Sequence, residues 1–332
     1  MDNKKIERIM SLINKLKSIK KTISERNKYF KKNYLNNKGY IPDKYYLPII
    51  HKERYGEELN LKNPTLFCEK LQWYKLYYRD PLFTLMADKY RNRLYIEKIT
   101  GKDYSVPLLG VWDRAEDIDF DSLPDKFVLK TNHDSHPYIV LDKSKVDLED
   151  IRHRLYVKLN ISKYLSSREW AYKNIKRCII AEELLGDGKS ELRDYKFFCF
   201  NGEPKYFDVF SESTDGKHGK INFFDMDLNR LPIKHRKHEV GTAPIEMPSN
   251  FEEMVSLAKQ LSKDIPFVRV DMFNVEGKIY VGELTFYPAS GTPLYEPREA
   301  QEMIGSWFVL PKKNGWKKID RDNKWIKETL GL

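Results

Sequence analysis

Two short stretches decide how this chain is read: Phe267-Val268-Arg269-Val270-Asp271-Met272-Phe273, and Gly282-Glu283-Leu284-Thr285-Phe286-Tyr287-Pro288-Ala289-Ser290-Gly291. The first is apolar except for Arg269 and Asp271, which stand two positions apart and therefore share a face in a strand. Glu276-Gly277 signals a turn, and Ile279 to Phe286 reads as the returning strand. Folding symmetrically about Gly277 sets Asp271 opposite Glu283 and Arg269 opposite Thr285. One face then carries a cation, two carboxylates and a hydroxyl. Facing carboxylates repel unless a positive charge lies between them. Such hard oxygens suit Mg²⁺ with room for water and phosphate oxygens. They equally suit an edge ladder in which Arg269 alone neutralises the acids.

Outward from the hairpin, the 332-residue chain is long enough for two or three interlocked domains, and 41% hydrophobic content argues against wholesale disorder. No apolar run approaches the ~18–20 residues that span a bilayer, and the charged first twenty residues predict no secretory leader. Cys68, Cys178 and Cys199 are scattered and odd in number, which predicts reduced, buried thiols and a cytoplasmic protein. The net charge of +10 is concentrated: residues 1–40 hold twelve Lys and Arg against Asp2, Glu7 and Glu25. Ile6, Ile9, Ile13, Leu16 and Ile23 within that segment follow helical spacing. The basic helix they predict could lie on an anionic inner membrane leaflet through residues 1–32, dock on the body, or meet a partner. No aromatic platform or reader motif accompanies the charge, so no nucleic-acid partner is expected.

Residues 33–63, rich in Tyr, Lys, Asn and Pro, read as a loop-dominated connector. Thr65 is placed to cap a helix bearing Phe67, Leu71, Tyr74 and Tyr78, and Asp88 to cap a second helix start whose first turns hold Lys89, Arg91 and Arg93. Cations at a helix N-terminus oppose the dipole. A nearby anion would relieve that conflict, which marks Lys89 as a phosphate ligand; a solvated basic face is the other reading. Pro107 to Val111 and Lys126 to Lys130 read as strands, and Lys130 closes the second beside the polar loop Thr131 to Pro137. A lysine there can reach a phosphate in a cleft. His133 and His136 share that loop but have no third ligand near them. Arg177 to Leu185 reads as a buried strand ending in an acidic pair, Asn201-Gly202 as the turn of a hairpin, and Phe251 to Leu261 as an amphipathic helix capped by Ser249 or Asn250. Short helices around Trp307, Trp316 and Trp325 close the chain.

From Asn63 to Pro311 this order resembles the TupA-like (teichuronopeptide-synthesis) proteins of the ATP-grasp superfamily. The resemblance rests on Glu69-Lys70 with Ala87-Asp88-Lys89, on Phe127-Val128-Leu129-Lys130 with Asn132-His133, on Asp194 through Pro204, and above all on the two opening stretches. It implies an α+β, ATP-grasp fold, two subdomains gripping ATP, behind a reduced N-terminal region and the basic helix. The divisions expected are 1–62 for helix and connector, 63–125 for the N-terminal region, 126–185 and 186–310 for the two subdomains, and 311–332 for a helical tail. By the same resemblance Lys89 and Lys130 contact nucleotide phosphates, and Ala181-Glu182-Glu183-Leu184-Leu185 cups adenine. An acidic side chain there or at Asp194 meets the ribose. Asp271 and Glu283, with Thr285 where relatives commonly carry asparagine, hold Mg²⁺, and Arg269 steadies the transferred phosphoryl group. Asp134 and His136 depart from the glycine-bearing phosphate loop of relatives.

The activity implied is an ATP-dependent carboxylate–amine ligase working through an acyl phosphate. It would join an amino acid or amine to a carboxylate, such as a uronic acid, in capsular or surface-polysaccharide biosynthesis. Two other readings compete. One is a polysaccharide-locus glycosyltransferase, whose Asp-x-Asp signature could only be Asp117-x-Asp119-x-Asp121 or Asp225-Met226-Asp227. The other is a catalytically degenerate scaffold that keeps the fold.

Overall fold

The computed structural model of the chain describes residues 41–135, 137–186, 192–211, 219–313 and 328–329. The expected basic helix, His136, and the expected helices at Trp316 and Trp325 lie outside the described residues. In chain order come α1 (Asp43–Tyr55), α2 (Phe67–Tyr77), α3 (Pro81–Ala87), α4 (Asn92–Thr100), β1 (Leu108–Trp112), β2 (Phe127–Thr131), β3 (Tyr138–Val140), α5 (Leu148–Leu159) and α6 (Lys163–Ser167). Then follow β4 (Ile179–Glu183), β5 (Asp194–Phe200), β6 (Glu203–Ser211), β7 (Lys220–Asp225), β8 (Lys234–His235), α7 (Phe251–Ser262), β9 (Phe267–Val275), β10 (Lys278–Thr285), β11 (Tyr295–Glu296) and α8 (Arg298–Trp307).

Two antiparallel sheets carry the architecture. The first runs β1-β4-β2-β3 and the second β10-β9-β5-β6-β7, while β8 and β11 pair separately. Alternation along β2 buries Phe127 and Leu129, which pack with Val140, Ile179, Ala181 and Leu155 of α5 into a small core. The second sheet is buried on both sides, because α7 lays Met254, Leu257, Ala258 and Leu261 on one face while α2 and α3 reach the other. Phe67 meets Phe267 edge to face at 5.3 Å, and Phe83 stacks on Phe286 at 3.9 Å. Residues 63–125 are therefore shared out: α2, α3 and α4 join the core of the second sheet, whereas β1 hydrogen-bonds to β4 of the first. The division expected at 125/126 leaves β1 outside the sheet it belongs to.

Local chemistry departs from the sequence reading at three points. The connector contains α1, which buries Tyr46, Leu47 and His51 despite Pro48 within it; burial outweighs the one backbone bond that proline removes. Thr65 does not cap α2. Glu69 reaches back instead, its Oε2 accepting from the backbone N–H groups of Thr65 (3.0 Å) and Leu66 (3.1 Å). Asp88 caps a turn ahead of α4, accepting from the N–H groups of Tyr90 (2.9 Å) and Arg91 (3.2 Å). Both expected hairpin turns form: Asn201-Gly202 and Glu276-Gly277 each take positive φ at both positions.

Candidate active site

The β9–β10 hairpin places Glu283 opposite Asp271 and Thr285 opposite Arg269, the facing pairs expected from the sequence. The route there is different. Lys278 faces Val275 across a two-residue turn, a register that would set Glu283 opposite Val270 and send it to the other face of the sheet. A bulge between Val281 and Glu283 shifts the pairing by one. Gly282 fits there because a Cβ would lie 2.9 Å from the Phe273 ring. The bulge, not the turn, brings the two acids together.

Arg269 binds Asp271 with both arms of its fork, Nε to Oδ1 at 2.6 Å and Nη2 to Oδ2 at 2.5 Å, and donates also to Glu283 Oε1 at 3.1 Å. The Thr285 hydroxyl donates to the same Glu283 oxygen at 2.8 Å. Glu283 Oε2 meets Lys89 Nζ at 2.6 Å, so a cation from the turn after α3 crosses to the second sheet. Burial opposes the charge on Glu283, yet Lys89 and Arg269 hold its carboxyl far below the ordinary range. Lys89 is held up in turn: burial works against its ammonium, but Glu283 and Asp271 outweigh it. Burial and the Glu283 charge push the Asp271 carboxyl up, against the pull of Arg269.

Lys89 owes its position to Asn132, which is wholly buried at the end of β2. The Asn132 carbonyl accepts from Lys89 N–H at 2.9 Å, and its side chain donates to Asp88 Oδ1 at 2.8 Å and accepts from Cys178 N–H at 3.0 Å. The turn carrying Lys89 is thereby clamped to the first sheet. On that sheet Lys130 and Glu182 are diagonal neighbours on one face, Nζ to Oε2 at 2.5 Å, and Arg93 takes the other Glu182 oxygen at 2.9 Å. Burial pulls the Lys130 ammonium down, with Glu182 holding it partly back.

Of the remaining expected residues, Asp194 stays beside the cluster and Glu183, Leu184 and Leu185 lie away from it. Glu183 is exposed, and with Leu184 it lines a hollow of about 590 Å³ beyond the end of β4, together with Leu109, Leu123 and Lys126. Leu185 is half-buried and does not border that hollow. Asp194 pairs with Lys196 at 2.5 Å. Asp134 lies between Lys158 (3.9 Å) and Lys163 (4.0 Å), which neutralise the carboxylate that departs from the family pattern. His133 is buried with Nε2 on the Ile161 carbonyl at 3.1 Å. The two Asp-x-Asp stretches serve turns. Asp119 accepts from the N–H groups of Asp121 and Ser122, and Asp225 from those of Asp227 and Asn229.

Four charged residues at or beside these clusters escape the sequence reading. Arg93 reads there only as part of a basic face. Lys196 and Asp208 interrupt apolar strands, which is a legible signal, and share the site's face of the second sheet. Lys75, buried in α2, donates to the carbonyls of Ser290 (2.5 Å) and Ser167 (2.9 Å) and holds the turn that follows β10. Among the described residues no group of three or more His, Cys, Asp or Glu side chains forms a metal cluster. The donors that fit a divalent cation are the Asp271 and Glu283 carboxylates with the Thr285 hydroxyl, all hard oxygens on one face and balanced here by Arg269 and Lys89.

A sequence profile described as TupA-like ATPgrasp matches residues 69–309. No curated protein matches the chain. Among solved structures, D-alanine–D-alanine ligase from Bacillus anthracis complexed with ATP is 19% identical with a TM-score of 0.36, covering 61% of this chain and 54% of that one. A second structure of the Bacillus anthracis ligase is 18% identical with a TM-score of 0.41, covering 68% and 64%. An L-amino acid ligase from Bacillus licheniformis is 12% identical with a TM-score of 0.36, covering 67% and 43%. The chain thus spans less than two thirds of the length of these ligases.

Proposed function

Because the chain belongs to the TupA-like ATP-grasp family, we propose that it is an ATP-dependent carboxylate–amine ligase, with Mg²⁺ as its metal. The observation that carries the reading is the Arg269–Asp271–Glu283 cluster with Lys89 reaching onto it from the turn after α3. A buried acid pair and an excess of lysine, Lys89 with Lys130 behind it, match the opposite charges of a metal ion and a polyphosphate.

In this proposal Asp271, Glu283 and Thr285 hold the metal, which when bound neutralises phosphate charge. Lys89 leaves Glu283 for a phosphate oxygen, and Lys130 offers a second ammonium from β2. A substrate carboxylate oxygen attacks the γ-phosphorus and ADP leaves. The amine nitrogen then attacks the acyl carbon, phosphate departs with the bonding electrons, and the nitrogen loses its proton. Arg269 faces the phosphoryl group throughout, so the protein contributes position and preorganised charge. Asp194 and the Glu182–Leu185 segment serve the ribose and adenine. In this proposal the acid is a uronic acid of a surface polysaccharide, the enzyme works on the cytoplasmic side of the membrane, and residues 1–32 make a peripheral contact there. Among the described residues no helix is long and apolar enough to cross a bilayer.

The test incubates the purified chain with ATP, Mg²⁺ and uronic acids crossed with amino acids, following ADP and phosphate. Release that requires both an acid and an amine, and disappears in Glu283→Ala, supports the ligase. Saturable ATP binding without release for any pair shifts the reading to a scaffold.

A further inference from the structure

One row of side chains crosses the second sheet on the face that bears Arg269. Glu283 stands opposite Asp271, Asp271 opposite Lys196, and Lys196 opposite Asp208. At about 4.8 Å per strand, Asp208 lies two strands, about 10 Å, from Asp271. Asp208 is 3% exposed, and its Oδ1 meets no donor among the described residues. The ammonium that faces it is engaged elsewhere: Lys196 Nζ lies 2.5 Å from Asp194 Oδ2. Burial pushes the Asp208 carboxyl up to about 6, against the pull of Lys196 and Arg269. Above that pH an anion stands buried and short of a partner, a condition that native structures resolve with a cation or a donor.

We infer that Asp208 anchors the ammonium group of the acceptor amine and accepts one of its protons, which frees the nitrogen lone pair to attack the acyl carbon, so that the two ends of one row serve the two substrates. The inference rests on the ligase reading and deepens it. The surroundings favour an organic ammonium over a second metal ion. Asp208 is flanked by Phe223 across the ladder and by Tyr206 and Phe210 along its own strand, all three on its face, and Phe223 meets Tyr295 edge to face at 5.5 Å. One carboxylate among aromatic rings offers a hard divalent ion too few oxygens. It suits a group with three N–H donors and a carbon stem, for which ring faces are favourable neighbours. Asp194, assigned to the ribose, and Arg269 act on Asp208 through their charges. Lys196 stands between it and Asp271 in the row.

Hydroxylamine, largely uncharged at neutral pH, separates the two halves of the reaction, because it traps an acyl phosphate as a hydroxamate without needing an ammonium anchor. The full chain is assayed with ATP, Mg²⁺ and the uronic-acid panel, first with hydroxylamine and then with charged amines (amino acids, ethanolamine, glycinamide). Wild type, Asp208→Asn and Asp208→Glu are compared. The expected result is hydroxamate formation in Asp208→Asn within about twofold of wild type, with the KM for the charged amine raised at least about tenfold. Asp208→Glu, which keeps the charge and lengthens the stem, falls between them and covers the case in which the amide variant does not fold. An unchanged amine KM overturns the inference. Parallel loss of hydroxamate overturns it too, by moving Asp208 to the nucleotide half. A wild type that forms hydroxamate but takes no charged amine overturns it while sparing acid activation. A wild type that forms no hydroxamate with any acid removes the ligase reading itself.

Discussion

The two sheets hold buried charge in opposite ways. On the first, a single carboxylate, Glu182, serves two cations, Lys130 and Arg93, so the cluster carries surplus positive charge. On the second, Arg269 stands among Asp271 and Glu283 and needs Lys89, from the turn after α3, to complete the balance. Lys130 is pulled below its ordinary range and Lys89 is held above it, which expresses the same asymmetry in the proton affinity of two lysines. One cluster carries surplus positive charge, and the other is balanced only while Lys89 is in place. That is the arrangement a polyphosphate and a divalent ion would bridge, and it makes the two halves separable by experiment.

The largest effect should come from Arg269→Met, which leaves Asp271 and Glu283 facing each other. Loss of the partner of a buried acid costs about 3–5 kcal/mol, read as a lower denaturant midpoint. Added Mg²⁺ should restore stability to this variant more than to wild type, and equal shifts in both would break the comparison. Glu182→Gln is the mirror image. It leaves Lys130 and Arg93 unpaired at a cost of about 3 kcal/mol, and here pyrophosphate, not Mg²⁺, should raise the melting temperature. A variant rescued by the metal instead would show that the clusters do not differ in the way described.

A smaller effect concerns acid. Burial lowers the His133 pKa to about 4 from 6.5, so the unfolded chain binds the proton first as pH falls. The contribution of neutral His133 is therefore complete above pH 6.5 and is lost as pH drops toward 4. From neutrality to pH 5 the loss is about 2 kcal/mol. His133→Gln should flatten the stability profile in that window on the first-sheet side. An identical profile would remove His133 as its source. The smallest effect is expected of Gly282→Ala, about 1 kcal/mol for pushing the Phe273 ring aside. Its value is as a probe of the bulge: Mg²⁺-dependent ADP release should fall more steeply than stability.

Much of this is legible in the chain's residue pattern. Charged residues in apolar strands single out Arg269, Asp271 and Glu283, and two turn dipeptides locate both hairpins. Less visible is whatever depends on partners distant in sequence. Arg93 reads as surface charge until Glu182, 89 residues away, is placed beside it. Lys75 reads as one lysine among many until the carbonyls of Ser167 and Ser290 surround it. Asp208 stands in plain view between aromatic residues, but an unpartnered oxygen is a property of surroundings and not of a string. The helix α1 is hidden by Pro48, a local penalty that tertiary burial of Tyr46, Leu47 and His51 overrides.

By itself the sequence determined which residue types share a strand face, because a period of two is a property of the backbone. It also determined where the chain must turn, because Asn-Gly and Glu-Gly tolerate positive φ. The tertiary structure decided which of those faces meet. The bulge at Gly282 put Glu283 with Asp271, and the Asn132 clamp delivered Lys89 to both. Buried charge has no stable arrangement until its counter-charges, drawn from separate parts of the chain, are packed against it.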